Sequence, residues 1–155
     1  MKKRLYTIAY IMTAFAIICL TSTESSAQCN VSTTPVNFGG YDTFSTAPID
    51  ATGTITVLCT TLESVTIAIG PSANSGGSDP RMMRLISGNE LFEYNFYTRA
   101  NHNRIWGDGS GRTRTMRQNV PRNSPWINTV YGRIPPMQDV SAGTYNDTLT
   151  VTITW

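Results

Sequence analysis

Residues 143–155 constrain the fold more than any other stretch, because apolar and polar side chains alternate along them. Leu149, Val151 and Ile153 share one parity, and four threonines hold the other. This period-two alternation predicts a β-strand with one buried and one exposed face. Because the strand reaches the final residue, we expect its free edge to stay open to a strand from a partner. The alternative is an ordinary last strand of a β domain.

The first 27 residues have the pattern of a secretory signal peptide. Three basic residues precede an apolar run over 5–20, and small residues follow it up to Ala27. We therefore predict cleavage after Ala27 and one domain over residues 28–155. A membrane anchor is disfavoured because the run is shorter than the roughly 20 residues that span a bilayer. The mature chain is thus expected to be exported without a membrane span.

Removal of the predicted leader balances the charge of the chain. Residues 28–155 contain nine arginines, no lysine and nine acidic residues. A chain without net charge gives no general electrostatic argument for nucleic acid or an anionic membrane as a partner. We therefore expect neither as a partner.

Cys29 and Cys59 are the cysteines that remain, since Cys19 lies in the leader. An even pair in an exported chain predicts a disulfide. Metal binding would need further ligands, and the lone histidine, His102, stands in a polar run that is typical of a solvated loop. We expect no metal and no cofactor.

Short alternating segments separated by turn residues recur along the chain. We predict strands over residues 28–38, 51–59, 64–70, 81–86, 90–98, 129–137 and 143–155, with 100–128 as an irregular excursion. No segment shows helical periodicity. The sequence therefore favours an all-β sandwich.

The sequence lacks the usual motifs of enzymatic sites. It has no zinc-binding histidine pair, no nucleophilic serine elbow and no phosphate loop with its lysine. Glu90 with Glu93, or Asp108 with Asp139, would be the carboxylate pairs to consider for a glycosidase. No other feature supports that chemistry, and we predict that the protein is not an enzyme.

The excursion at 100–128 is a candidate surface for binding an anion or a glycan. The residues that would form this surface are Trp106, Arg112, Arg114, Arg117 and Trp126, with Arg122 beside them. The alternative is that these arginines are simply solvated.

Several segments match one family in order along the chain. They are Cys29 with 36–42, then 53–59, 81–83, 91–97, 106–109, 131–135 with Gln138, and 142–147. Together they resemble the spore coat protein U domain, which is also the pilin domain of archaic, Csu-type chaperone–usher pili. The resemblance covers nearly all of residues 28–155.

The resemblance implies an incomplete immunoglobulin-like β-sandwich that lacks its final strand. In such pilins a periplasmic chaperone first lends a strand, and the next subunit replaces that strand at the outer-membrane usher. Leu149, Val151 and Ile153 would line the groove, and the carboxylate of Trp155 would face basic chaperone residues. The expected partners are the chaperone, the usher and a neighbouring pilin subunit.

The predicted start of the mature chain departs from the family pattern. Shaft pilins carry a donor segment of about a dozen residues before the first cysteine, whereas Gln28 alone would precede Cys29 here. We therefore expect a subunit that accepts a strand without donating one, at or near the pilus tip, with a role in surface attachment and biofilm. Cleavage after Ala16 is the alternative, and it would leave a crude extension.

Two other functions remain open at this point. One is a secreted spore-coat or extracellular-matrix protein that self-associates, and the other is a secreted carbohydrate-binding module. All three functions require export through the periplasm, to a cell-surface pilus or to the medium.

Overall fold

The computed structural model describes residues 28–155, and the predicted leader with Cys19 lies outside the described residues. This part of the chain contains strands and no helix, as the all-β prediction requires. The strands are β1 (Cys29–Thr34), β2 (Ile49–Cys59), β3 (Glu63–Ile69), β4 (Arg81–Leu85), β5 (Leu91–Tyr97), β6 (Met116–Val120), β7 (Trp126–Ile134), β8 (Tyr145–Asn146) and β9 (Val151–Thr154). Within 28–155, accordingly, no helix has the length and apolar character needed to cross a bilayer.

The strands form two antiparallel sheets. The larger sheet has the order β1-β2-β7-β5-β4-β8, and the smaller has the order β6-β3-β9. Consecutive strands β2 and β3 belong to different sheets, so the short turn between them carries the chain from one layer to the other. This arrangement is the immunoglobulin-like β-sandwich expected from the sequence.

The main core is built from alternate residues of facing strands, as the period of a β-strand requires. Its buried members are Ile55, Val57, Cys59, Val65, Ile67, Ile69, Trp106, Val120, Trp126 and Val130. A second cluster contains Met83, Phe92, Tyr94 and Ile134, with Phe38, Tyr41 and Tyr145 packed against it. Phe96 contacts both clusters and so joins them.

The predicted disulfide is confirmed. Cys29 and Cys59 are bonded, and they are register partners at the start of β1 and the end of β2. Closing a loop with a sequence separation of 30 residues contributes about 3 to 4 kcal/mol in the chain-entropy description. The bond therefore fixes β1, which is an edge strand, to the sheet.

The structure differs from the predicted strands most at β6 and at residues 143–155. In addition, β1 ends at Thr34 and not at 38, and β7 spans Trp126–Ile134 and not 129–137. Strand β6 lies inside the segment that was predicted to be irregular, and its backbone pairs with β3. The sequence does not reveal this strand, because residues 117–119 are all exposed and show no alternation. The predicted single strand over 143–155 is divided, since β8 pairs with β4 in the larger sheet and β9 with β3 in the smaller. Alternation alone does not reveal this break, because it continues across the crossing segment.

Two glycines let the chain cross the inner face of the larger sheet after β1. A Cβ at Gly53 would lie 2.7 Å from the Thr34 carbonyl oxygen, and a Cβ at Gly132 would lie 2.7 Å from the Phe38 ring. Residues 35–38 therefore pass directly over β2 and β7, where any side chain would displace them. This crossing brings Phe38 into the second cluster.

The side chain of Gln138 takes the place of a missing strand beside β5. Its carboxamide accepts a hydrogen bond from the Glu93 backbone N–H at 2.8 Å and donates one to the Glu93 carbonyl at 3.0 Å. Strand β7 ends at Ile134 and no longer covers this part of β5. The amide group thus satisfies both backbone groups of Glu93, as a paired peptide would.

We expect Gly53→Ala to lower the free energy of unfolding by about 2 kcal/mol, because the added methyl group overpacks against fixed backbone. The measurement is urea unfolding followed by circular dichroism. Gly40→Ala is the matched control, since a Cβ at Gly40 has no neighbour within 4 Å. Equal effects of the two substitutions would show that the close crossing is not a constraint.

Candidate functional site

Strand β9 forms one edge of the smaller sheet. It pairs with β3 in the register Ile69 to Val151 and Ile67 to Ile153, and no other strand of the described chain pairs with it. In a β-strand, alternate residues direct their N–H and C=O groups to opposite sides. Half of the backbone groups of β9 therefore point away from β3 and are available to an added strand.

The inner face of this edge is only partly covered. Ile67 and Ile69 of β3 are 0% and 2% exposed, whereas their partners Ile153 and Val151 are only partly buried, as is Leu149. All three contact the main core. We call residues 149–154 the open edge, because their apolar side chains touch the core on one side and solvent on the other.

Strand β1 is the corresponding edge of the larger sheet. Val31 is the register partner of Val57, so the two side chains share the inner face. Val57 is 0% exposed, but Val31 is 37% exposed. Each sheet thus has an edge strand with an incompletely covered apolar side chain on its inner face.

Asp147 fixes the segment that leads into the open edge. Its carboxylate accepts hydrogen bonds from the Tyr94 hydroxyl at 2.7 Å, from the Asn74 amide at 3.2 Å and from the Thr148 backbone N–H at 2.9 Å. Burial, followed by the bond to Asp147, raises the pKa of Tyr94, so the phenol stays protonated and continues to donate. The chain is therefore held at the point where it changes sheets.

The Thr150 carbonyl extends the pairing between β3 and β9 by one hydrogen bond. It accepts a hydrogen bond from Gly70 N–H at 2.8 Å. The close approach leaves little room at Gly70, where a Cβ would lie 3.3 Å from the same oxygen. Together with the Asp147 contacts, this bond sets the register in which β9 begins.

Arg81 supports the end of β3, to which β9 is paired. It is 0% exposed, and its guanidinium donates to the carbonyls of Ile69, Gly70 and Trp106 at 2.8–3.2 Å and to Asn95 Oδ1 at 2.7 Å. Burial lowers the pKa of the guanidinium below its ordinary value, although it remains charged at neutral pH. One side chain thus ties β4 to β3, β5 and the loop before β6.

The tryptophans that were expected on the 100–128 surface belong to the core. Trp106 is 0% exposed and donates its indole N–H to the Ile67 carbonyl at 3.2 Å. Trp126 is 9% exposed. This part of the prediction is corrected, because both rings are buried in the core. A tryptophan in a polar, glycine-rich loop carries no local pattern that predicts its burial.

The arginines that were assigned to the same surface are exposed. They are Arg112, Arg114, Arg117 and Arg122. Trp155 is 50% exposed and lies beyond the open edge. The expected contact between its carboxylate and a chaperone stays a prediction.

His102 is not the solvated loop residue that its polar neighbours suggest. Its side chain is 8% exposed, with Nε2 3.6 Å from Asp50 Oδ1, and its ring packs edge-on against Tyr97. Burial lowers the pKa of the imidazole despite the nearby carboxylate. Asp50 itself binds Arg133 in a bidentate pair at 2.6 and 2.7 Å, so this group is a structural contact between strands and a loop.

One carboxylate of each pair that was considered for catalysis has structural partners. Glu90 accepts hydrogen bonds from Ser141 N–H and the Tyr145 hydroxyl, which lower its pKa. Hydrogen bonds from Ser110 likewise lower the pKa of Asp108. A general acid needs a raised pKa, so neither group is tuned for that role. The residues that the structure describes also contain no group of three or more possible metal ligands.

A groove of about 850 Å³ lies at the end of the second cluster, away from the open edge. It runs between residues 35–44 and 140–145, over Phe92 and Ile134. Phe44 at its mouth is 91% exposed. The groove is open to solvent, and the Tyr145 hydroxyl on its wall is bonded to Glu90.

Comparisons with known proteins give a family match and a shared fold with solved structures. The family model of the Spore Coat Protein U domain matches residues 15–152. "Protein U" of Myxococcus xanthus is 35% identical over 130 aligned residues, and the alignment covers 77% of this chain and 71% of that protein.

Among solved structures, the complex of the chaperone CsuC with the tip adhesion subunit CsuE, from archaic chaperone–usher Csu pili of Acinetobacter baumannii, superposes with a TM-score of 0.60 at 20% identity. The match covers 83% of this chain but 40% of that chain. At this identity the similarity shows a shared fold. The Escherichia coli Hda pilus minor tip subunit HdaB, at a TM-score of 0.43 and 13% identity, is more distant.

We expect Arg81→Lys to lower the free energy of unfolding by about 3 kcal/mol, because an ammonium cannot reach the four acceptors and leaves buried carbonyls unpaired. Arg84→Lys, at an exposed position of the same strand, is the control and should change it by less than about 0.5 kcal/mol. Both are measured by urea unfolding. Similar values for the two would mean that the buried guanidinium does not hold β3 in place.

Proposed function

This chain belongs to the spore coat protein U domain family, and we propose that it is a secreted structural subunit of a chaperone–usher pilus, completed by a strand from a partner. The observation that carries the proposal is the open edge, a strand with unpaired backbone groups above a partly exposed apolar face. The family expected from the sequence motifs is confirmed by the match over residues 15–152.

The open edge has the properties of a strand acceptor. An added strand would form ladder hydrogen bonds with β9 and place alternate apolar side chains against Leu149, Val151 and Ile153. Completing the burial of these three side chains would contribute about 3 kcal/mol through apolar area alone. The backbone hydrogen bonds would supply the affinity for the added strand, and the spacing of its apolar side chains would supply the selectivity.

The proposed partners follow from this mode of binding. A periplasmic chaperone would occupy the edge during export, and a neighbouring pilin subunit would replace it at the outer-membrane usher. The fold shared with a solved chaperone–tip adhesion subunit complex supports this assignment. The protein would then act at the cell surface, in attachment and biofilm formation, and without enzymatic activity.

A self-associating coat protein is the second candidate function. The observation that favours it is the similarity to the relative named Protein U, which is 35% identical to this chain, whereas the tip adhesion subunit complex is 20% identical. In this case a second copy of the chain would fill the open edge. The two candidates share the same acceptor strand and differ in what supplies the added strand.

We expect that fusing a peptide of alternating apolar residues after Trp155, through a flexible Gly/Ser linker, raises the thermal midpoint by about 5 °C or more, since about 3 kcal/mol is added to a small domain. Val151→Asn on the inner face should remove most of the gain, whereas Thr152→Asn on the outer face should keep it. Differential scanning calorimetry measures both. A domain that is monomeric and gains nothing from the peptide contradicts strand acceptance, and defined oligomers formed without a chaperone would favour the coat protein.

The position in the pilus depends on where the exported chain begins. We propose cleavage after Ala27, which leaves Gln28 alone before Cys29 and makes the subunit an acceptor without a donor segment, at or near the tip. N-terminal sequencing of the exported protein should therefore begin at Gln28. A mature chain with about a dozen residues before Cys29, the length of a donor strand, would instead place the subunit within the shaft.

A further inference from the structure

Six exposed arginines lie within residues 99–122, which we call the arginine segment. They are Arg99, Arg104, Arg112, Arg114, Arg117 and Arg122. The segment folds as two loops, held by the bridges of Ile105 to Tyr97 and of Trp106 to Arg114, and then as β6. It therefore includes the edge of the smaller sheet that lies opposite β9.

Among residues 28–155, no ion pair joins an acidic side chain to the six arginines. Asp50 instead binds Arg133 and lies beside His102. Arg117 donates to the Ser64 hydroxyl, and the other five arginines are exposed. Their guanidinium groups are therefore accessible to an anionic partner.

Several acidic side chains are already engaged by other groups of the protein. Asp147 binds Tyr94 and Asn74, and Glu90 binds Tyr145. With six arginines against Asp108, the arginine segment has a formal charge of +5, and the rest of 28–155 has three arginines against eight acids, or −5. A chain that is neutral in total therefore carries its excess positive charge within one stretch of sequence, residues 99–122.

The composition around these arginines favours a carbohydrate anion. A guanidinium pairs with carboxylate, sulfate or phosphate groups through two parallel hydrogen bonds. The neighbouring exposed side chains include Ser64, Gln118 and Asn119, which can bind sugar hydroxyls. Trp106 is the only aromatic residue of the segment besides the imidazole of His102, and it is buried, so the stacking surface that single-stranded nucleic acids need is missing from it.

We propose that the arginine segment binds an acidic polysaccharide through the carboxylate or sulfate groups of the polymer. The inference is independent of the proposed function, because it concerns residues 99–122 and not the open edge. In a pilus or in a coat, the protein would attach to an anionic matrix through this surface.

The test uses the complete exported protein and three polymers: alginate as the carboxylated polysaccharide, dextran as the neutral one and duplex DNA as the other class of polyanion. Biolayer interferometry at low and high salt measures each affinity. We expect binding to alginate that weakens steeply with salt, and none to dextran. Arg112→Gln and Arg114→Gln should each weaken alginate binding about threefold, and the double variant about tenfold.

Arg84→Gln is the matched control, since Arg84 is exposed but lies on β4, outside the segment. It should leave the affinity for alginate unchanged, and circular dichroism should show that all variants fold. No binding to alginate at low salt, or an equal loss in Arg84→Gln, overturns the proposal. DNA binding as tight as alginate binding also overturns it, because the surface would then select charge and not sugar.

Stabilisation by the fused peptide separates this inference from the proposed function. The double arginine variant should gain as much thermal stability from the peptide as the parent chain, because Arg112 and Arg114 are exposed residues outside β3 and β9. Loss of alginate binding with retained stabilisation therefore supports both proposals. Loss of both properties together would show that the substitutions damage the fold and that the arginine segment is structural, which overturns the inference.

Discussion

A charged group enclosed by neutral oxygen atoms organises the centre of this sandwich. The Arg81 guanidinium is fully buried, and its acceptors are three backbone carbonyls and one amide oxygen. Leaving any of these groups unpaired in the interior would cost about 1 to 3 kcal/mol, so the surrounding segments can adopt only the arrangement that satisfies all of them. The end of β3, and through it the start of β9, is fixed by this requirement.

Much of the fold follows from local patterns in the sequence. Strands with clean alternation, such as β2 and β3, form close to their predicted positions, and the export context together with an even cysteine pair correctly predicts the bond between Cys29 and Cys59. Motif residues whose roles are long-range are different: Gly53, Gly132 and Gln138 can be recognised as a pattern, but their close contacts exist only in the folded chain. Those contacts depend on which strands become neighbours.

The candidate site likewise has some features that local sequence patterns predict and others that depend on long-range contacts. The alternation of Leu149, Val151 and Ile153 predicts an apolar face, and the structure places that face on an edge strand. Trp106 was misassigned because a tryptophan in a polar, glycine-rich loop gives no local sign of burial; it is buried through its contacts with β3 and the carbonyl bond to Arg81. The arginines of residues 100–128 could be identified from the sequence as a candidate anion surface although the chain is neutral in total, because a sum over the chain does not record where charges lie.

The crossing at residues 147–150 has a mechanical consequence. Because β8 belongs to one sheet and β9 to the other, tension applied to a strand docked along β9 would pass through these four residues into both layers of the domain. The load would act along the strands and would shear several ladder bonds at once, instead of opening them one after another. Asp147, which is bonded to Tyr94 and Asn74, lies between β8 and β9, where the load would pass from one sheet to the other.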